Sequence, residues 1–183
     1  MDDDVDAIRR LKNGDIGGLD ILVTRYQVKA VRAAFLIVRD QQAAEDIAQE
    51  TFLRVFERIR NFDQGRPFGP YLLRSVVNAA LDVARKASKR EQVTGDLESI
   101  EALLQQAITV EAQAGFNALK RDIHTALERL SPRQRAAVVM RYYLEMSEKE
   151  MAESLNAAPG TVKWLLNAAR ERLRKLLGER SAI

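Results

Sequence analysis

Apolar positions recur at three- and four-residue spacing along almost the whole chain, and no stretch alternates apolar and polar residues as a half-buried strand does. The pattern predicts an all-α protein. A short helix over Val5–Lys12 stops at Asn13-Gly14. A second, from about Gly18 to Val38, turns Leu19, Leu22, Val23, Tyr26, Val31 and Phe35 toward a core. Asp40 stands where a capping carboxylate satisfies the first free N–H groups of the next helix. That helix, about Gln41–Arg60, sends Ile47, Phe52, Val55, Phe56 and Ile59 inward and leaves Glu45, Asp46, Gln49, Glu50 and Arg54 outward. The loop Asn61–Phe68, punctuated by Gly65 and Pro67, breaks it. A fourth helix, about Pro67–Lys89, combines Tyr71, Leu72, Val76, Val77 and Leu81 with the cations Arg74, Arg85, Lys86 and Lys89, and Arg90 follows.

The last third carries the sharpest local signals. Ser131-Pro132-Arg133-Gln134 combines a capping serine, a proline at the first helical position and a glutamine at the third, a reciprocal arrangement that fixes a helix start. Ser147-Glu148-Lys149-Glu150 repeats the device. Between the caps lies an apolar helix, Ala136–Leu144. After the second cap come a very short helix, Glu148–Leu155, the turn Asn156-Ala157-Ala158, and a long helix from Pro159 through Leu177. Short helix, tight turn and long helix form a helix-turn-helix.

Charge divides the chain further. Lys+Arg 29 against Asp+Glu 26 leaves only +3, so an anionic partner must be argued from where the charges sit. The long last helix bears Lys163, Arg170, Arg172, Arg174 and Lys175 against Glu171 alone, which suits a helix lying near phosphate. From Glu91 to Leu119 there is no lysine or arginine, whereas Glu91, Asp96, Glu98, Glu101 and Glu111 are present. The abrupt change marks a linker between two small helical domains, with expected bounds of 1–90 for the first domain, 91–115 for the acidic linker and 116–183 for the second.

Cysteine is absent and His124 is the single histidine, which excludes disulfides, thiolate zinc sites and multi-histidine centres. No nucleophile, base and orienting group recur together, and no glycine loop cradles phosphate. The expectation is a protein without catalytic residues, metal or cofactor. The acidic start MDDDVD is unlike a signal peptide, and no apolar run approaches the ~20 residues that cross a bilayer. A soluble, cytoplasmic protein with no membrane insertion is expected.

Three segments carry a family resemblance. Ala44-Glu45-Asp46-Ile47-Ala48-Gln49-Glu50-Thr51-Phe52 resembles the second conserved region of extracytoplasmic-function (ECF) sigma factors of bacterial RNA polymerase. Pro67–Arg90 is similar to their promoter-melting helix. Leu127-Glu128-Arg129-Leu130-Ser131-Pro132-Arg133-Gln134-Arg135, followed by Gly160-Thr161-Val162-Lys163, is similar to their fourth region. The three occur in the family's order.

The resemblance implies a division of labour. Glu45, Asp46, Gln49 and Glu50 would dock on the core polymerase, where a carboxylate-rich face suits arginines. The loop residues Asn61, Phe62, Asp63, Gln64 and Arg66, with Asn78, would read the single-stranded minus-ten element, while Arg74, Arg85, Lys86 and Arg90 would hold phosphates. An aromatic ring, amides and a guanidinium suit stacking and edge contacts to unpaired bases. Phe62 has a second reading as a plug for the core. Tyr71, where the family usually has tryptophan, reads as a core aromatic. Thr161, Lys163, Trp164, Asn167 and Arg170 would face the minus-thirty-five duplex. Here the sequence departs from the family, because Leu165 and Ala168 stand where cations are expected and Ala158 replaces a capping serine. Trp164 has the alternatives of packing on its own domain or covering a partner protein. The acidic linker would thread a positively charged channel or serve as a solvated tether.

The partners so implied are core RNA polymerase, promoter DNA and an anti-sigma factor. Two other functions stay open at this point: a helix-turn-helix regulator with a helical sensor domain, and a sigma-like adaptor or decoy with altered promoter recognition.

Overall fold

The computed structural model describes residues 2–90, 123 and 125–178, with side chains over 4–87, 123, 125 and 126–176. Every regular element among the described residues is helical, in accord with the expected all-α class. The acidic linker and His124 lie outside these residues, as do the side chains of Lys89 and Arg90. The chain divides into two compact units, Met1–Val83 and Ala84–Ile183.

In the first unit, helix α1 (Asp2–Lys12) packs on α2 (Gly17–Val38), and α2 packs on α3 (Gln41–Glu57). The approach of α1 to α2 depends on Gly18, because a Cβ there would lie 2.3 Å from the backbone oxygen of Ala7. The inward face of α2 is built from small residues more than the apolar pattern predicts. Ala30, Ala33 and Ala34 are buried beside Leu22, Phe35 and Ile37, while Leu19, Val23, Tyr26 and Val31 are only half-buried. Alanine lets helix axes come close, so large residues at the flanks of the contact keep one side in water.

Arg39 ends α2 in the left-handed region, at φ 67°, and its N–H donates to the Phe35 carbonyl at 2.8 Å. Asp40 then caps α3, accepting from the Ala43 N–H at 2.7 Å as its position predicts. Helix α3 stops at Glu57, earlier than the expected Arg60, because a 3₁₀ turn over Ile59–Asn61 tightens the chain and buries Ile59. Helix α4 (Phe68–Arg90) follows the loop, with Leu72, Leu73, Val76, Val77, Ala80 and Leu81 buried.

In the second unit, residues 125–128 are helical and lead into α5 (Pro132–Val138). Both expected capping boxes are formed. Ser131 accepts from the Gln134 N–H at 3.3 Å and its own N–H donates to Gln134 Oε1 at 3.0 Å. Ser147 and Glu150 do the same at 3.3 and 2.8 Å. The expected Ala136–Leu144 helix is in fact α5 followed by a π turn over Val139–Tyr143, closed by the Leu144 N–H donating to the Val139 carbonyl at 3.0 Å. Helix α6 (Glu148–Ser154), a turn with Asn156 at φ 45°, and α7 (Pro159–Gly178) complete the unit. Helices α5 and α6 both pack on α7 around Met140, Met151, Leu155, Val162, Leu165 and Leu166.

Candidate polymerase and promoter interfaces

The carboxylate-rich face of α3 is exposed along its length. Glu45, Asp46, Gln49 and Glu50 all face water, opposite the buried Ala44, Ile47, Ala48 and Thr51. One-turn contacts brace it: Gln41 donates to Glu45 at 2.8 Å, Gln42 to Asp46 at 3.0 Å, and Arg54 to Glu50 at 2.7 Å. Such pairs contribute ~0.2–0.5 kcal/mol each and hold the side chains in rows. Leu53, one turn beyond Gln49, is 51% exposed and puts an apolar residue on this polar face. The sequence reading did not single it out, although its position among outward-facing residues was the available signal.

The loop before α4 is organised by its own residues and by its neighbours. Asp63 accepts from the Gly65 N–H at 2.9 Å, the Arg66 N–H donates to the Asp63 carbonyl at 3.1 Å, and Arg66 Nε lies 3.6 Å from the Asp63 carboxylate. Asn61, Asp63, Gln64 and Arg66 are exposed. Phe62 is turned inward and is 8% exposed, with its ring centroid 5.6 Å from Phe68 and 5.0 Å from Tyr71. Of its two readings, the core plug is the placement observed. Tyr71 is partly exposed and not fully in the core, with its ring tilted against Phe62.

Contacts from α1 and α2 support this loop. Lys12 Nζ donates to the Phe62 carbonyl at 2.7 Å. Tyr26 sets its ring 5.8 Å from Phe68 and donates its hydroxyl to Asp4 at 2.5 Å, and Arg25 also pairs with Asp4. Burial, then the bond to Asp4, pushes the Tyr26 hydroxyl up to about 12. Beyond the loop, Arg74 and Asn78 are half-buried, and Arg85 and Lys86 are exposed. Arg74, Asn78 and Arg85 share one face of α4, away from its apolar side. The side chain of Arg90 lies outside the described residues.

In the second unit, α7 separates its two faces sharply. Val162, Leu165, Leu166 and Ala169 are buried, while Lys163, Trp164, Asn167 and Arg170 are exposed and Thr161 is half-buried. Trp164 is 65% exposed, so it stands outside the core formed by the described residues of its domain. Leu165, at 4% exposure, is a core residue, and its side chain does not stand among the outward-facing groups as a replaced cation would. Arg170 Nε donates to the Tyr142 hydroxyl at 2.8 Å, and Lys163 Nζ lies 3.9 Å from Glu148. Tyr142 escaped the sequence reading, which counted Ala136–Leu144 as one apolar helix. The adjacent pair Tyr142-Tyr143 was the available signal, since two large rings with polar tips in succession are poor candidates for full burial together.

Two family models match the chain: Sigma-70 region 2 over residues 22–90 and Sigma-70, region 4 over residues 120–173. The ECF RNA polymerase sigma factor SigW of Bacillus subtilis (strain 168) is 30% identical over 176 residues, covering 93% of this chain and 94% of that protein. The chain belongs to the ECF RNA polymerase sigma factors. As a sigma factor it directs promoter-specific transcription initiation. The ECF RNA polymerase sigma factor SigM of Mycobacterium tuberculosis (strain ATCC 25618 / H37Rv) is 33% identical over 165 residues, covering 90% of this sigma factor and 80% of that one.

Solved structures agree in fold. CnrH, in complex with the cytosolic domain of CnrY, superimposes with a TM-score of 0.67 at 22% identity, covering 97% of this chain and 98% of that one. The sigma factor RpoE from Bartonella quintana, in complex with the anti-sigma factor NepR, gives 0.65 at 23% identity, with coverage of 87% and 94%. No described helix of this sigma factor is long and apolar enough to cross a membrane. Helix α1, which supplies Asp4 and Lys12, precedes the region 2 match.

Proposed function

We propose that this sigma factor divides its task among residues 1–90 for polymerase docking and minus-ten melting, an acidic linker over 91–115, and residues 116–183 for minus-thirty-five recognition. Glu45, Asp46, Gln49 and Glu50 meet cationic residues of the core polymerase, with Leu53 adding apolar contact. Asn61, Asp63, Gln64 and Arg66 approach unpaired bases of the minus-ten element, while Phe62 serves as the wedge beneath the loop. Arg74, Asn78, Arg85, Lys86 and Arg90 follow the strand. Flipping a base costs a few kcal/mol, which these contacts offset. Lys163, Trp164, Asn167 and Arg170, with Thr161 at their edge, enter the major groove of the upstream duplex.

The observation that carries this reading is the polarity of α7. One face is buried and apolar, and the other exposes Lys163, Trp164, Asn167 and Arg170. A helix so divided, second in the helix-turn-helix formed by α6 and α7, suits the major groove of an anionic duplex. The protein acts in the cytoplasm without catalytic residues of its own. An anti-sigma factor is a further partner, as it is for RpoE in the structure with NepR.

The test is to mix the full chain with bacterial core RNA polymerase and select opened promoters from a random library. Co-elution and enrichment of two-part promoters are expected. Failure to bind an active, matched core overturns the docking assignment. Binding to core without promoter opening overturns the assignment of the minus-ten residues.

A further inference from the structure

Arg170 is held from two sides. Its Nε donates to the Tyr142 hydroxyl at 2.8 Å, across from α7 to the π turn that closes α5. Its Nη1 donates to Asn167 Oδ1 at the longer distance of 3.4 Å, within α7. An arginine side chain carries ~2 kcal/mol of rotamer entropy, and a contact that fixes the guanidinium in advance lowers what a partner must spend on ordering it. With Nε occupied and one Nη1 proton directed to Asn167, the donors left are the other on Nη1 and the two on Nη2. Donors side by side on Nη1 and Nη2 match the O6 and N7 acceptors of a guanine in the major groove. Tyr142 is itself 57% exposed, so its hydroxyl is available to serve this contact rather than a buried network.

We propose that Tyr142 is a positioning residue for base readout: it fixes the guanidinium of Arg170 so that Arg170 reads one guanine of the upstream promoter element. The proposal rests on the reading of α7 as the promoter-facing helix. It deepens that reading by naming a residue outside α7 that sets its specificity. It also accounts for readout by a helix whose Leu165 is buried and whose Ala168 has no polar group, because a single fixed arginine discriminates better than a mobile one.

A phosphate contact by Arg170 is the competing use, and it behaves differently. Loss of a phosphate contact weakens binding to all sequences alike and lowers the salt dependence, whereas loss of a base contact relaxes preference at one base pair.

The experiment uses the full chain assembled with bacterial core RNA polymerase and a promoter library randomised over the upstream duplex, with the downstream element fixed. Wild type is compared with Tyr142→Phe, Arg170→Ala and the double variant. Tyr142→Phe keeps the ring at an exposed position and deletes only the hydroxyl, so folding is preserved. The expected result is a guanine preference at one base pair that Tyr142→Phe reduces about five- to ten-fold. Arg170→Ala reduces the same preference at least as much, and the double variant is no worse than Arg170→Ala alone. An unchanged preference at every position in Tyr142→Phe, or a uniform weakening across all sequences, overturns the proposal. If wild type enriches no upstream element, the reading of α7 fails and the proposal with it, an outcome plainly separate from enrichment that Tyr142→Phe leaves intact.

Discussion

The ring of Tyr26 in α2 occupies the space that a side chain on Gly69 of α4 would need. A Cβ built on Gly69 lies 2.8 Å from Cε1 of that ring and 2.9 Å from its hydroxyl. The ring has little freedom to move away, because its hydroxyl is fastened to Asp4 and the ring packs at a tilt beside Phe68. Gly69→Ala should therefore destabilise the first unit despite the better helix propensity of alanine, worth up to ~1 kcal/mol. Overpacking costs ~1–3 kcal/mol, so a net loss of about 1 kcal/mol is expected in urea unfolding followed by circular dichroism. Equal or greater stability for Gly69→Ala would show that the ring yields.

The raised Tyr26 hydroxyl makes a pH prediction with a definite sign. The folded state binds the tyrosine proton more tightly than the unfolded chain, whose ordinary value is 10.0, and holds it up to about 12. Stability from this group is fully present below pH 10 and is lost as the pH rises toward 12. The stability gap between wild type and Tyr26→Phe should thus narrow across that window, as read by denaturant unfolding at each pH. A gap that stays constant from pH 9 to 12 would contradict the assignment.

The elements were legible where local chemistry decides them. Asp40, Ser131 and Ser147 each cap the helix that their position predicts, since a side-chain acceptor near free N–H groups acts over a few residues. Side-chain direction was less legible, because it depends on which neighbours arrive. Phe62 turns inward because Phe68 and Tyr71 form a ring cluster with it, a contact invisible to periodicity. Leu165 reads as a lost DNA cation in a motif comparison and as core in the folded unit. The bond between Tyr142 and Arg170 depends on a π turn, which a hydrophobic pattern does not encode. The outward faces of α3 and α7 could be read because each lies opposite an unbroken buried stripe.

The caps can be graded by substitution. Ser131→Ala and Ser147→Ala each remove a hydroxyl that accepts a helix N–H, and each should cost ~1 kcal/mol in thermal unfolding of the full chain. At the start of α7 the Ala158 carbonyl accepts from the Thr161 N–H at 2.9 Å, yet alanine offers no side-chain acceptor. Ala158→Ser should consequently raise stability by ~0.5–1 kcal/mol. A neutral or negative effect there would mean that the turn does not present the hydroxyl to the helix start.

Trp164 distinguishes a nucleic-acid contact from a packing role. At 65% exposure it contributes little to the core, so Trp164→Ala should shift unfolding by no more than ~0.5 kcal/mol. If the indole lies against the upstream duplex, its removal lowers initiation from promoters that depend on that element by about ten-fold, from lost apolar contact with base edges such as a thymine methyl. Promoters that function through the downstream element alone should be unaffected, because the loop from Asn61 to Arg66 belongs to the first unit. Binding to core polymerase should also be unaffected, as checked by co-elution. Loss of core binding with unaltered promoter preference would instead assign Trp164 to a protein surface. Equal initiation from both promoter types would remove it from the promoter-facing set and leave upstream readout to Arg170 and Asn167.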